Sequence, residues 1–174
     1  MQIQKALAQA NQENSYPKTG LGKNLAWICR LIKGNLNSKV YYTSLGGFDM
    51  HDNQLAIHKN KLSELNDPLF GFYTDMKNAK LHQNVTIVVF SEFERRVKDN
   101  RNGTDHGTAA PMFIIGGSDK GKIIANNPNI STLQQGDLKH QIDFRSVYAT
   151  ILQDKLNFNP SSIGIKNPVV NDLF

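Results

Sequence analysis

Val85-Thr86-Ile87-Val88-Val89-Phe90 is a run of β-branched and aromatic residues almost without a polar break. A strand that is apolar on both faces suits a parallel sheet covered by helices on either side, whereas a half-solvated strand alternates. Two further runs fit the same sheet. Val40-Tyr41-Tyr42-Thr43-Ser44-Leu45 is closed by Gly46-Gly47, and Met112-Phe113-Ile114-Ile115 by a second glycine pair. Lys122-Ile123-Ile124 offers a short extra strand.

Helical patterns lie around these runs. Between Lys18 and Asn35, Leu21, Leu25, Ile28, Cys29 and Ile32 recur at helical spacing, with Thr19 as a cap and Lys33-Gly34-Asn35 as a basic last turn and left-handed stop. A longer stripe carries Leu55, His58, Leu62, Leu65, Leu69, Phe72 and Met76; Asn66-Asp67-Pro68 interrupts it, giving two helices or one kinked helix. A last helix starts near Asp143, with Phe144, Val147, Tyr148, Ile151 and Leu152 on its buried side. The order of elements predicts an α/β protein: a three-layer α/β/α fold with a mostly parallel sheet, in one domain over residues 1–174. Three strong strands are few for such a sheet, so it is expected to be incomplete, with strands missing upstream or supplied by a partner.

Composition narrows the function classes. In 174 residues, 39% are hydrophobic and the net charge is +5, which fits a folded chain rather than a disordered one. No apolar run reaches the roughly 18 residues of a membrane helix, and the start Met1-Gln2-Ile3-Gln4-Lys5 has no signal-peptide core. The single cysteine, Cys29, excludes an internal disulfide and suits packing on its helix. Lys18, Lys23, Arg30, Lys33 and Lys39 are spread along one helix and its flanks, so nucleic-acid binding is disfavoured.

Polar residues able to hold a metal follow the ends of the strand-like runs, where open α/β sheets bind ligands. Gly46-Gly47-Phe48-Asp49-Met50-His51 follows the first, Ser91-Glu92-Phe93-Glu94-Arg95-Arg96 the second, and Gly103-Thr104-Asp105-His106-Gly107 precedes the third. Carboxylates and imidazoles from separate loops suit a divalent cation such as zinc or manganese. Each piece alone also fits turn chemistry, a surface ion pair or a flexible loop. Arg95, Arg96 and Arg101 suit an anionic substrate group or a solvated basic loop. Gly116-Gly117-Ser118-Asp119-Lys120-Gly121-Lys122 has phosphate-loop spacing, but Ile123 replaces the hydroxyl that would touch magnesium, and no helix follows.

The motifs in order are Tyr16-Pro17…Gly20-Leu21-Gly22…Leu25, Leu45-Gly46-Gly47-Phe48-Asp49-Met50-His51…Gln54, Phe90-Ser91-Glu92-Phe93-Glu94-Arg95-Arg96, Asn102-Gly103-Thr104-Asp105-His106-Gly107, Gly136-Asp137-Leu138, and Asp143 to Leu152. This set resembles the bacterial domain-of-unknown-function 1501 family, a sulfatase-like branch of the alkaline-phosphatase superfamily. The resemblance implies hydrolysis of phosphate or sulfate esters at metal ions. It implies Asp49, His51, Glu92, Asp105 and His106 as metal ligands, with Arg95 and Arg96 facing the substrate. It also implies export to the periplasm or cell surface, and a chain corresponding to the C-terminal half of a longer enzyme. The chain would then be a fragment, a split gene product or a separately encoded partner chain, with the nucleophile region in the missing half.

Two positions depart from the family pattern. Glu94 stands where the family has glycine, and Met50 where it has threonine. If the former position needs φ > 0, Glu94 costs about 1 kcal/mol or more. No Ser or Thr here has a recognisable activating context. Three readings follow: a metal-dependent ester hydrolase taking a small anionic substrate, a non-catalytic scaffold that keeps the fold, and a basic nucleic-acid module, the least favoured.

Overall fold

The computed structural model describes residues 2–10, 15–116 and 121–174. They divide into two compact units. Unit 1 is Met1–Val88 with Asn100–Thr104 and Ile114–Gly117; unit 2 is Val89–Asp99, Asp105–Phe113 and Ser118–Phe174. In chain order the elements are α1 (Gln2–Gln9), α2 (Gly20–Lys33), α3 (Gln54–Asn78), β1 (Ile87–Val89), β2 (Glu94–Asp99), β3 (Thr104–Gly107), β4 (Phe113–Ile115) and α4 (Phe144–Asp154), with a 3-10 turn at Pro160–Ile163.

Unit 1 is built on α2 against α3. Thr19 caps α2 as its sequence suggests, the hydroxyl accepting from Gly22 N at 3.1 Å. The left-handed residue past its end is Asn35, at φ 56°, not Gly34. Leu21, Leu25 and Cys29 of α2 meet Phe72 and Met76 of α3, and Leu45, Leu65, Leu69, Val85 and Ile87 pack around them. α3 runs unbroken through Pro68, whose missing N–H removes one backbone bond but whose ring is fully buried. Cover along the α3 stripe is uneven: Leu55 is 88% exposed and Leu62 49%, whereas Phe72 and Met76 are buried.

Unit 2 contains most of the β2–β3 hairpin and α4. The stretch Ser91 to Ala110, read from its polarity as a loop, contains both of these strands. Their connection is short, so the pair is antiparallel. Asn100 Oδ1 accepts from Gly103 N at 2.9 Å, and Gly103 O accepts from Asn100 N at 2.9 Å, which closes that turn within unit 1. α4 starts as expected at Asp143, whose carboxylate accepts from Arg145 N at 2.8 Å. Val147, Ala149 and Thr150 are buried on α4, while Phe144 stays 56% exposed.

The three-layer α/β/α fold with a mostly parallel sheet is overturned. The described residues hold four α-helices and two separate two-stranded sheets, β1 with β4 and β2 with β3. The apolar run at Val85–Phe90 yields only three paired residues. Val40–Leu45 alternates between exposed and half-buried like a strand, yet belongs to neither sheet, and Lys122–Ile124 forms no strand. An apolar run signals burial, but a ladder also needs a partner edge, and that partner is not encoded locally. Part of the phosphate-loop-like stretch, residues 117–120, lies outside the described residues. No described helix is long and apolar enough to cross a membrane.

Candidate functional site

In unit 1 the segment after Gly46-Gly47 is turned by Gly47 at φ 92° and anchored by buried Met50. Asp49 and His51 flank that anchor, both exposed, and Asp49 Oδ1 lies 3.0 Å from His51 Nε2. Phe48 meets the His58 ring edge-on at 5.9 Å, so His58 is a half-buried packing residue, as its place on an apolar stripe suggests. Met50, where the family pattern has threonine, is thus the buried anchor between two polar neighbours.

A second segment of unit 1 is fastened beside this turn. Gln54 N donates to Asn102 O at 3.2 Å, and Thr104 Oγ1 donates to Gln54 Oε1 at 2.9 Å. Gly103 is buried there: a Cβ on it would sit 2.8 Å from His51 O and 3.0 Å from Gln54 Oε1. Only glycine allows that approach without displacement. Asp105 and His106 follow Thr104 directly in the chain. Gln54, three residues after His51, therefore holds Thr104, the first residue of β3.

In unit 2, Asp105 and His106 are exposed on β3. The His106 ring stacks on Phe93, with centroids 4.1 Å apart and planes 13° from parallel, and the Arg95 guanidinium lies 5.1 Å from the Phe93 centroid. Stacking uses the π face of the imidazole, while metal ligation uses an in-plane nitrogen lone pair, so the two are compatible. Glu92 is exposed on the Ser91–Phe93 turn, which Ser91 Oγ closes by donating to Phe93 O at 2.7 Å. Glu94 opens β2 at a negative φ, so the strain conditional on φ > 0 is not incurred. Arg95 and Arg96 are both half-buried. Arg96 donates from Nη2 to Gln135 O at 3.1 Å, and its buried Nε has no hydrogen-bond partner among the described residues. Among the described residues, the parallel sheet edge expected to gather these donors is not formed. Asp49 with His51, and His106 with Phe93 and Arg95, are the groupings formed within single units.

A chemically distinctive cluster in unit 1 was not legible in the sequence. Asp75 is fully buried on α3 and accepts from Tyr16 Oη at 2.8 Å and from Cys29 Sγ at 3.3 Å. Burial pushes the Cys29 thiol up to about 11. Burial, reinforced by the bond to Asp75, raises the Tyr16 hydroxyl well above its ordinary value. Cys29 is thus an inert packing residue rather than a nucleophile. The signal available in the sequence was an aspartate on the apolar side of a helix, between Phe72 and Met76.

No curated protein and no solved structure matches this sequence. The family described as "Protein of unknown function (DUF1501)" matches residues 4–160. That span takes in both the Asp49–His51 turn and the Asp105-His106 strand. The chain belongs to the DUF1501 family.

Proposed function

We propose that the chain is a metal-dependent hydrolase-like protein of the phosphatase and sulfatase superfamily, acting on phosphate or sulfate esters. The observation carrying this reading is the Asp49–His51 pair, with its two donor atoms 3.0 Å apart. Two ligands about 2.05 Å from a tetrahedral ion stand about 3.3 Å from each other, so a carboxylate and an imidazole at this separation suit zinc or manganese with little movement. In this reading Asp49, His51, Glu92, Asp105 and His106 supply the ligands. When bound, the metal would polarise the ester and activate a nucleophile. Arg95 and Arg96 would offset charge on the transferred group.

Calorimetric titration of the metal-stripped chain with zinc and with manganese tests the reading. His51→Ala and His106→Ala should each weaken binding by more than the roughly 10–100-fold typical when a residue one shell further out is lost. Binding that is undetectable, or unchanged in both variants, overturns it. Superfamily chemistry is then tested by assaying the metal-loaded chain for hydrolysis of phosphate and sulfate esters.

A further inference from the structure

Away from the Asp49–His51 turn, unit 1 has a cleft of about 210 Å3 along the outer face of α2. Lys23, Ala26, Trp27 and Arg30 line it from the helix, spaced so that all four share one face. Tyr16, Pro17 and Lys18 line it from the preceding segment. That segment is held in place. Tyr16 is bonded to buried Asp75, and the Pro17 carbonyl lies where a Cβ on Gly22 would collide with it.

The chemistry of the lining is specific. Trp27 is the only tryptophan of the chain and is 53% exposed. Arg30 lies 6.0 Å from its ring centroid, and its guanidinium is committed to Leu7 O at 2.6 Å and Ala10 O at 3.2 Å. This fixes the cation beside the ring. Lys18 and Lys23 are exposed, and no carboxylate is among the described lining residues. A rigid aromatic face next to lysines recognises a flat ring through stacking and an oxyanion through charge. The volume falls below the roughly 300–1,000 Å3 of drug-sized sites, so a single small molecule fits better than a polymer strand.

We propose that this cleft binds a small aryl oxyanion: one flat ring carrying a phosphate or sulfate group. The ring lies against Trp27 and the oxyanion meets Lys18 and Lys23. This site is separate from the proposed metal ligands and does not depend on them.

Because Trp27 is the sole tryptophan, its fluorescence reports the cleft directly. The full chain, kept with a chelator so that no ester is cleaved, is titrated with phenyl phosphate, phenyl sulfate, inorganic phosphate and phenol. At least one aryl ester should change the emission saturably, with a Kd at least about tenfold below those of inorganic phosphate and phenol. Added salt should weaken it, since the lysines are exposed. The double variant Lys18→Gln/Lys23→Gln should raise that Kd at least about tenfold with an unaltered circular dichroism spectrum, while His51→Ala leaves it unchanged. Several results overturn the proposal: no saturable response to either aryl ester, equal affinity for inorganic phosphate or for phenol, or undiminished binding by the double variant. Loss of metal binding in His51→Ala with the cleft intact separates this site from the hydrolase reading.

Discussion

Replacing Tyr16 by phenylalanine removes one hydroxyl and leaves the ring, which lies 3.7 Å from where a Cβ on Gly71 would stand. The hydroxyl donates at 2.8 Å to Asp75, whose side chain is fully buried. A hydrogen bond to a charged group is worth about 1.5–3 kcal/mol, and Cys29 Sγ at 3.3 Å is too weak a donor to replace it. The expected loss is about 2 kcal/mol. With a urea slope near the upper end of the range of about 1–3 kcal/mol/M, the unfolding midpoint falls by about 0.8 M. Trp27 fluorescence follows this transition in unit 1, where both the ring and the cluster lie. Tyr42→Phe is the control: Tyr42 is 77% exposed, and its loss should stay within about 0.5 kcal/mol. If the Tyr16→Phe midpoint stays within about 0.2 M of the parent, the bond does not support Asp75 and the reasoning fails.

The same cluster makes unit 1 sensitive to alkali. Cys29 is raised from 9.0 to about 11 and Tyr16 is raised further, so folding favours both neutral forms. Their contribution is complete below about pH 9 and is lost as pH rises; for Cys29 the loss reaches about 3 kcal/mol. The urea midpoint should fall between about pH 9 and pH 11, and fall less in Cys29→Ala; a flat profile contradicts this. Gly103→Ala brings a methyl group onto His51 O and should cost about 1–3 kcal/mol while weakening metal binding about tenfold or more; calorimetry reads the second effect. Thr19→Ala removes the α2 cap and should cost about 1 kcal/mol by urea unfolding, with Thr19→Asn retaining most of it.

Helix ends were legible because their signals are local. Thr19 and Asp143 cap α2 and α4 through the bonds their positions suggest. The sheet was not legible, because pairing links residues far apart: β1 needs β4, and an apolar run does not name its neighbour. Leu55 continues the α3 period yet lies in solvent, since periodicity identifies a face without supplying something to cover it. At Pro68, burial of the ring prevailed over the break suggested by Asn66-Asp67-Pro68. In the candidate site, the two-residue spacing of Asp49 and His51 stood out. The bond from Thr104 to Gln54 did not, because it joins positions 50 residues apart. Asp137 was visible only as part of Gly136-Asp137-Leu138. It is buried, accepts from Leu138 N at 2.8 Å, and has Oδ2 2.9 Å from where a Cβ on Gly107 would stand.

Val40–Leu45 presents side chains in strand order while its peptide groups take no place in either sheet. Amide hydrogens along it should therefore exchange with water as fast as those of a loop, while those near Cys29 and Met76 are retained. Val40 and Tyr42 are exposed on one side of it, and Lys39 is the charge at its entrance. Val40-Tyr41-Tyr42-Thr43 is itself uncharged and β-prone, so neutralising Lys39 removes the charge beside it and should favour fibrillar self-association, which thioflavin fluorescence would read.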